Sequence, residues 1–447
     1  MNMSLSAGDQ VELQIHDVAQ DGRWVGRGAS GQVVFVRGEA VPGERVRARV
    51  AVVKKSFVEA DLLAVLEKAP SRIKPPCPYF GKCGGCQLQH IRYAAQLDLK
   101  KKMVCDALER LGRFDRPSVL NVMPSEAEYG FRNKLELVFT KNGRLAFHGY
   151  GEGRPLVAVE RCLLAPDILN RLMDVTARFF SGLPAAERQA CGLRRLMLRR
   201  ADMDGRVMVA LELRRSPEQT MQNCLENLLR VSGSDRTTVV AETGEERRPL
   251  KQAVLHGPGV LEEKLGRYKF IIGPDSFFQT STRQAEKLCE TVAGMARGGK
   301  QNLALDLFCG TGPLAHCLSE LYADVIGVDG QRSAVENAEA NARLNGRANI
   351  RFVAQALDRI ADLGTAARPD LVVMDPPRNG IHADALRGIM RLGAGKIIYV
   401  SCNPATFARD ARLLCEDSRY RLVRVQPIDM FPQTGHIETV ALFTKNG

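Results

Sequence analysis

Apolar residues alternate with polar ones at 11–15, 32–37, 44–53 and 57–65, and the turns between these runs, Asp21-Gly-Arg, Gly26-Arg-Gly28 and Pro42-Gly-Glu44, carry Gly and charge. A period of two in short runs separated by polar turns predicts strands, and several in succession predict a small OB-like β-barrel. Residues 94–111 read instead as a helix. Strand patterns return at 134–140, 145–148, 193–199 and 206–213, with a helical run at 167–180, predicting an antiparallel sheet domain. The polar stretch 232–248 is expected to form an exposed excursion or hairpin. From about residue 270, strands and helices alternate, with strands at 303–308, 324–328, 350–354, 370–374, 396–400, 420–426 and 437–444. That order predicts a doubly wound parallel sheet. The chain is therefore read as α/β and multi-domain: an OB-like barrel at 1–69, a central antiparallel β domain at 70–266 and a doubly wound domain at 267–447.

Composition adds a partner class. The 447 residues are 26% charged and 45% hydrophobic, as in soluble globular proteins of several domains. The first residues, Met-Asn-Met-Ser-Leu-Ser-Ala-Gly-Asp, lack the apolar core of a signal peptide, and no apolar run approaches a membrane span. A cytoplasmic location with no membrane partner is expected. A net charge of +12 points to a polyanion, nucleic acid first. Arg37, Arg47, Arg49, Lys54 and Lys55 place charge on the predicted barrel. Arg132 and Lys134, two apart on a predicted strand, share a face suited to phosphates.

Twelve cysteines in a cytosolic chain suggest metal binding or catalysis rather than disulfides. Cys77, Cys83 and Cys86 stand at C-x5-C-x2-C among Pro and Gly, so tight turns bring three sulfurs together; Cys162 is the candidate fourth ligand. Cys105, inside the helical run, is expected to be core. Zinc and a [4Fe–4S] cluster both accept four thiolates, and the spacing does not separate them.

Two strand ends carry candidate chemistry. The run 396–400 stops at Cys402 and passes into a helix that Asn403 can cap and Pro404 can open. A thiol there is expected to have a lowered pKa and to act as a nucleophile. Cys309-Gly-Thr-Gly-Pro-Leu-Ala315 fits G-x-G-x-x-A, with Asp329 about twenty residues on. The glycines admit a ligand and the acid takes ribose hydroxyls, which serves NAD and S-adenosylmethionine alike. Asp375-Pro-Pro-Arg-Asn379 and Ser401-Cys402 favour methyl transfer to a nucleobase, because hydride transfer has no use for that pair.

Together these blocks resemble the uracil-C5 RNA methyltransferases: a TRAM-like barrel, the cysteine block followed by Gln87-Leu-Gln-His90, Asp306-Leu-Phe308 before the Gly-rich turn, Asp375-Pro-Pro, and Ser401-Cys-Asn-Pro404. Phe277-Phe-Gln279 is similar to that family's cofactor-binding segment. The resemblance implies a class I methyltransferase fold for the last domain. It implies that Cys77, Cys83, Cys86 and Cys162 hold a [4Fe–4S] cluster, and that Gln279, Phe308, Asp329 and Asp375 contact S-adenosyl-L-methionine. In such chemistry a thiolate adds to C6 of uracil, C5 accepts the methyl group, and a base removes the C5 proton. Cys402 matches the nucleophile and Glu438 the general base, with His436, two residues away on the same strand face, as the alternative. Cys309 lies in the cofactor turn and faces the wrong ligand. Barrel and cysteine block together imply the RlmD-type branch, whose substrate is 23S rRNA or its precursor, with no stable protein partner. Other 23S uridines, tRNA, or a non-catalytic Fe–S RNA-binding protein are the alternatives. The sequence departs from the family at Trp24, Pro313 and Ala356.

Overall fold

The first seventy residues close into a five-stranded barrel. In the computed structural model, which describes residues 5–19, 22–28, 31–150, 153–244, 250–357, 360 and 367–446, these strands are β1 (Gln10–Val18), β2 (Trp24–Arg27), β3 (Val33–Arg37), β4 (Arg45–Val53) and β5 (Phe57–Glu67), in the order β1-β2-β3-β5-β4. Alternate residues of β4 point inward (Val46, Ala48, Val50) and the arginines between them point outward, as a period of two requires. Sequence reading gave four strands and took Asp21-Gly-Arg and Gly26-Arg-Gly28 as turns; Trp24 instead opens β2, which runs through Gly26. It is only 2% exposed, its indole N–H donates to Gly38 O at 2.8 Å, and its ring meets His90 edge-on at 5.6 Å. The bulky residue at this departure from the family is thus core, packed against the segment that follows the cysteines. The barrel's charge is partly neutralised across strands, by Arg37–Asp61 and Arg47–Glu12.

Helix α1 (Tyr93–Arg110) follows the cysteine block. It lies in the predicted central segment, yet Val104, Ala107 and Leu108 pack into the core of the last domain. Cys105, expected in the core, is half-buried between Glu109 and Lys101.

The central domain is a seven-stranded sheet of order β12-β11-β10-β9-β6-β7-β8. Its strands are β6 (Lys134–Phe139), β7 (Leu145–His148), β8 (Leu156–Ala158), β9 (Leu193–Arg200), β10 (Val207–Leu213), β11 (Thr237–Thr243) and β12 (Lys251–His256). Helices α2 (Asp167–Gly182), α3 (Ala185–Cys191) and α4 (Glu218–Ser232) complete it, and α2 and α4 cover one face. The sheet is mixed, not antiparallel, because α4 is a crossover that sets β11 parallel to β10. Residues 237–243 are therefore a largely buried strand where an exposed excursion was expected. Their threonines find partners: Thr237 Oγ1 donates to Gly233 O at 2.5 Å and Thr238 Oγ1 to His256 O at 3.0 Å. Part of the expected excursion, 245–248, lies outside the described residues.

A hairpin, β13 (Leu261–Leu265) and β14 (Tyr268–Ile272), leads through α5 (Thr282–Ala296) into the last domain. There the strands are β15 (Leu303–Leu307), β16 (Asp324–Asp329), β17 (Ile350–Ala354), β18 (Leu371–Met374), β19 (Lys396–Ser401), β20 (Tyr420–Ile428) and β21 (Glu438–Lys445). Helices α6 (Pro313–Leu318), α7 (Arg332–Leu344), α8 (Ala383–Leu392) and α9 (Pro404–Cys415) connect them. The order is β17-β16-β15-β18-β19-β21-β20, parallel except that β21 enters antiparallel between β19 and β20. Cores on both faces bury the sheet, so β18 reads as a continuous apolar run and β15 as one broken only by Asp306. Among the described residues no helix is long and apolar enough to cross a membrane.

Candidate active site

Open parallel sheets bind ligands beyond the carboxyl ends of their strands, and five of the predicted site residues gather there. β15 ends at Leu307, and Phe308 takes φ 63°, a left-handed conformation that an aromatic residue adopts only under constraint. Gly310 (φ 55°) has open space where a Cβ would stand, while a Cβ on Gly312 (φ 88°) would strike the Phe352 ring at 2.9 Å. The first glycine leaves room for a ligand; the second lets the turn close on β17. Pro313 is the first residue of α6, where its missing N–H costs nothing, so this departure from the family keeps the turn intact. Ala356 lies exposed just beyond β17. The Cys309 side chain lies against Gly327 of β16.

Asp329, at the end of β16, accepts from Gly310 N at 3.0 Å and Gln331 N at 2.9 Å, which fixes the carboxylate beside the turn. Asp306 is fully buried beneath that turn, and neither carboxyl oxygen has a hydrogen-bond partner. Burial, then the neighbouring Asp375, holds its pKa well above the usual carboxylate range. Asp375, at the end of β18, is raised to about 6 by desolvation.

The strand register brings the predicted nucleophile and base together. Ser401 pairs with Thr439 across β19 and β21, so the next residue along each strand sets Cys402 opposite Glu438. Asn403 caps α9 as expected, its side-chain oxygen accepting from Ala405 N at 3.1 Å. The expected fall in thiol pKa is not found. Cys402 is pushed up to about 11 by burial, then by the charges of Glu438 and Asp375, against the opposing Arg378 guanidinium. Glu438 is buried with Oε2 unpartnered, and burial and Asp375 drive its pKa well up. Arg378, which sequence reading passed over inside Asp375-Pro-Pro-Arg, is the cation of the site. It hydrogen-bonds the thiol, and its Nη2 lies 2.6 Å from His436 Nδ1.

His436 sits before β21, not on its face, and keeps an open edge to solvent. Lost hydration and the cations Arg378, Lys100 and Arg132 lower its pKa to about 4, so it is neutral. A neutral ring can accept from Arg378, which commits it to holding that guanidinium. Glu438, Asp375 and the Arg378 guanidinium surround the Cys402 thiol.

Gln279 lies half-buried in the segment before α5, beside Phe277, which is 70% exposed. The central domain pins this segment. Asn133 Nδ2 donates to Gln279 O at 3.2 Å and to Thr282 Oγ1 at 3.1 Å, and the buried Arg199 donates to Ser276 O at 3.3 Å.

The four predicted thiol ligands are neighbours. Burial first raises the Cys83 and Cys162 thiols, with Cys77 and Cys162 adding to Cys83 and Cys77 adding to Cys162, and burial with the three neighbouring thiols drives Cys86 up to about 12. Backbone amides of Gly85, Leu164 and Ala165 face the Cys83 and Cys162 sulfurs, and Gln89 faces Cys86. A Cβ on Gly84 would meet His148 O at 2.8 Å, so glycine lets the loop dock on β7. Among the described residues no three His, Cys, Asp or Glu side chains are arranged to hold a single metal ion. Arg132 and Lys134 share no strand face: Arg132 precedes β6. Its Nε donates to Lys134 O at 2.9 Å and its charge acts on Cys83 and Cys162. Lys134 Nζ pairs with Glu136 at 2.7 Å.

Barrel, mixed sheet and methyltransferase fold, with a ligand turn beside a Cys–Glu pair, define an RNA-modifying methyltransferase. The chain belongs to the tRNA (Uracil-5-)-methyltransferase family, which it matches over residues 92–446, and it carries a TRAM domain at 6–63. Cys77, Cys83 and Cys86 lie between the two matches. It is 36% identical to an uncharacterized RNA methyltransferase of Chlorobaculum tepidum, over 98% of this chain and 97% of that protein. It is also 36% identical to one of Nitratidesulfovibrio vulgaris, over 98% and 96%. The structure resembles that of Pyrococcus abyssi tRNA (uracil-54, C5)-methyltransferase in complex with S-adenosyl-L-homocysteine, with a TM-score of 0.74, 26% identity, and coverage of 96% of this chain and 99% of that one. The protein is thus an S-adenosylmethionine-dependent RNA methyltransferase of the uracil-C5 family.

Proposed function

We propose that the protein methylates C5 of one uridine in 23S ribosomal RNA or its precursor, through a covalent bond between Cys402 and C6. The observation that carries this reading is the register that sets Cys402 opposite Glu438 at the strand ends, beside the Gly-rich turn. Cys402 adds to C6 as thiolate, and the electrons move to C5 and O4. S-adenosylmethionine, held by Gln279, Phe308, Asp329 and Asp375, supplies an electrophilic methyl group to C5. Glu438 as carboxylate takes the C5 proton, the C5=C6 bond re-forms, and the thiolate leaves. Arg378 stabilises the thiolate on its way in and out. Asp375 also holds uracil. The base must be unstacked to admit a thiol to C6, so a single-stranded or flipped uridine is the substrate.

The preference for 23S rRNA over tRNA rests on the TRAM barrel together with the thiol site. Cys77, Cys83, Cys86 and Cys162 would hold a [4Fe–4S] cluster: four neighbouring thiols, backbone amides facing two of the sulfurs, and one nearby guanidinium to offset their charge. Arg132 serves RNA from beside the cluster, and Lys134 does so at the rim.

The test is a pair of variants assayed with unmodified RNA and the cofactor. Cys402→Ala is expected to bind RNA and transfer no methyl group. Glu438→Gln is expected to accumulate a denaturant-stable protein–RNA adduct. Normal methylation by Cys402→Ala would remove the nucleophile assignment, and full turnover by Glu438→Gln without adduct would remove the base.

A further inference from the structure

The cysteine-bearing loop reaches past its own domain to the stretch of chain that leads into β21. Gln87 N and Leu88 N, directly after Cys86, both donate to Gln433 O, at 3.0 and 2.9 Å. Gln87 Oε1 accepts from Gly435 N at 3.2 Å. Gln433 is 1% exposed and has φ 69°, a left-handed conformation that a non-glycine residue adopts only when its surroundings demand it. Its surroundings over-determine that conformation. Gln96 of α1, fully buried, accepts from Gln433 N at 3.1 Å and donates to Gln433 Oε1 at 3.0 Å, while also donating to Leu88 O and Ile91 O. Gln433 Nε2 reaches Glu128 at 3.4 Å. A strained, buried residue held by five hydrogen bonds from the cysteine loop, α1 and residue 128 thus stands five positions before Glu438 and three before His436.

We propose that Gln433, Gln96 and Gln87 are positioning residues that set Glu438 for removal of the C5 proton, and so tie the cysteine loop to one chemical step. The inference rests on Glu438 being the base. Cys402 and the Gly-rich turn are placed by β19 and β15, which this network does not touch. Loosening the network therefore spares adduct formation and methyl transfer and slows release.

The experiment uses the full chain with an unmodified transcript, 23S rRNA or tRNA, that accepts labelled methyl from the parent protein. Gln433→Gly keeps the backbone carbonyl and N–H and relieves the positive φ, but removes the side-chain bonds to Gln96 Nε2 and Glu128. Gln87→Ala removes the side-chain bonds to Gly435 N and to Gly84 O at 2.9 Å, keeps the backbone bonds to Gln433 O, and serves if Gln433→Gly does not fold. Glu438→Gln is measured alongside. In both variants steady-state turnover is expected to fall roughly 10–100-fold, with cofactor KM within about twofold of the parent and denaturant-stable adduct accumulating as in Glu438→Gln. Parental turnover, or lost turnover without adduct, would overturn the inference. Absence of adduct in Glu438→Gln would overturn the base assignment, and the inference with it, whereas adduct in Glu438→Gln alone would overturn only the inference.

Discussion

At the scale of the residue, Cys402 illustrates how far a motif carries. Its position at a strand end before an Asn-Pro cap is readable from the sequence, and the structure places it there. Its protonation is not readable, because burial and the carboxyls of Glu438 and Asp375 come from distant segments and raise the thiol to about 11. Arg378 is the one group opposing them, through charge and a hydrogen bond. The sign of the consequence is fixed. A raised thiol pKa leaves little thiolate at neutral pH, and the raised Glu438 keeps its own proton above the usual carboxylate range. Both groups must lose protons to act, so methyl transfer is expected to rise with pH between about 6 and 9 instead of levelling off above 5. Arg378→Ala raises the thiol further. Iodoacetamide labelling of Cys402 in that variant is expected to be slower than in the parent across that range. Equal labelling rates would remove Arg378 as the stabilising cation.

At the scale of the element, hydrophobic patterning located most strands of the last domain to within a residue or two, because both faces of the sheet are buried. It missed β2, four residues long, and β11, whose threonines read as polar. Their strand character comes from pairing partners that lie elsewhere in the chain. The same limit hid the contact that docks α1. Lys100 and Asp429 form an ion pair of 2.6 Å, both side chains fully buried, and Tyr93 donates to the second carboxyl oxygen at 2.8 Å. Lys100 also donates to Phe431 O at 3.0 Å, so the pair fixes the chain that leads to Gln433. Removing one member leaves a buried charge. Asp429→Ala is expected to cost about 3–5 kcal/mol of unfolding free energy. Urea unfolding that gives less than about 1 kcal/mol would mean that water or relaxation replaces the pair.

At the scale of the whole molecule, the domains are joined by contacts that bear on chemistry. His90 sits between Trp24 of the barrel and Phe80 of the cysteine loop, Asn133 and Arg199 of the central sheet hold the Gln279 segment, and Gln433 takes the cysteine loop to the strand of Glu438. The family and the order of domains were readable from motifs. The joints were not, since each rests on an ordinary Gln, Asn, Arg or His whose partner in another domain lies 66 to 346 residues away. The central claim is uracil-C5 methylation of 23S rRNA. Its most direct test incubates the protein with methyl-labelled S-adenosylmethionine and unmodified 23S rRNA and tRNA, and maps the labelled base. Label at C5 of a single 23S uridine is the predicted result. Label in tRNA would contradict the substrate assignment, and label in neither RNA would contradict the account itself.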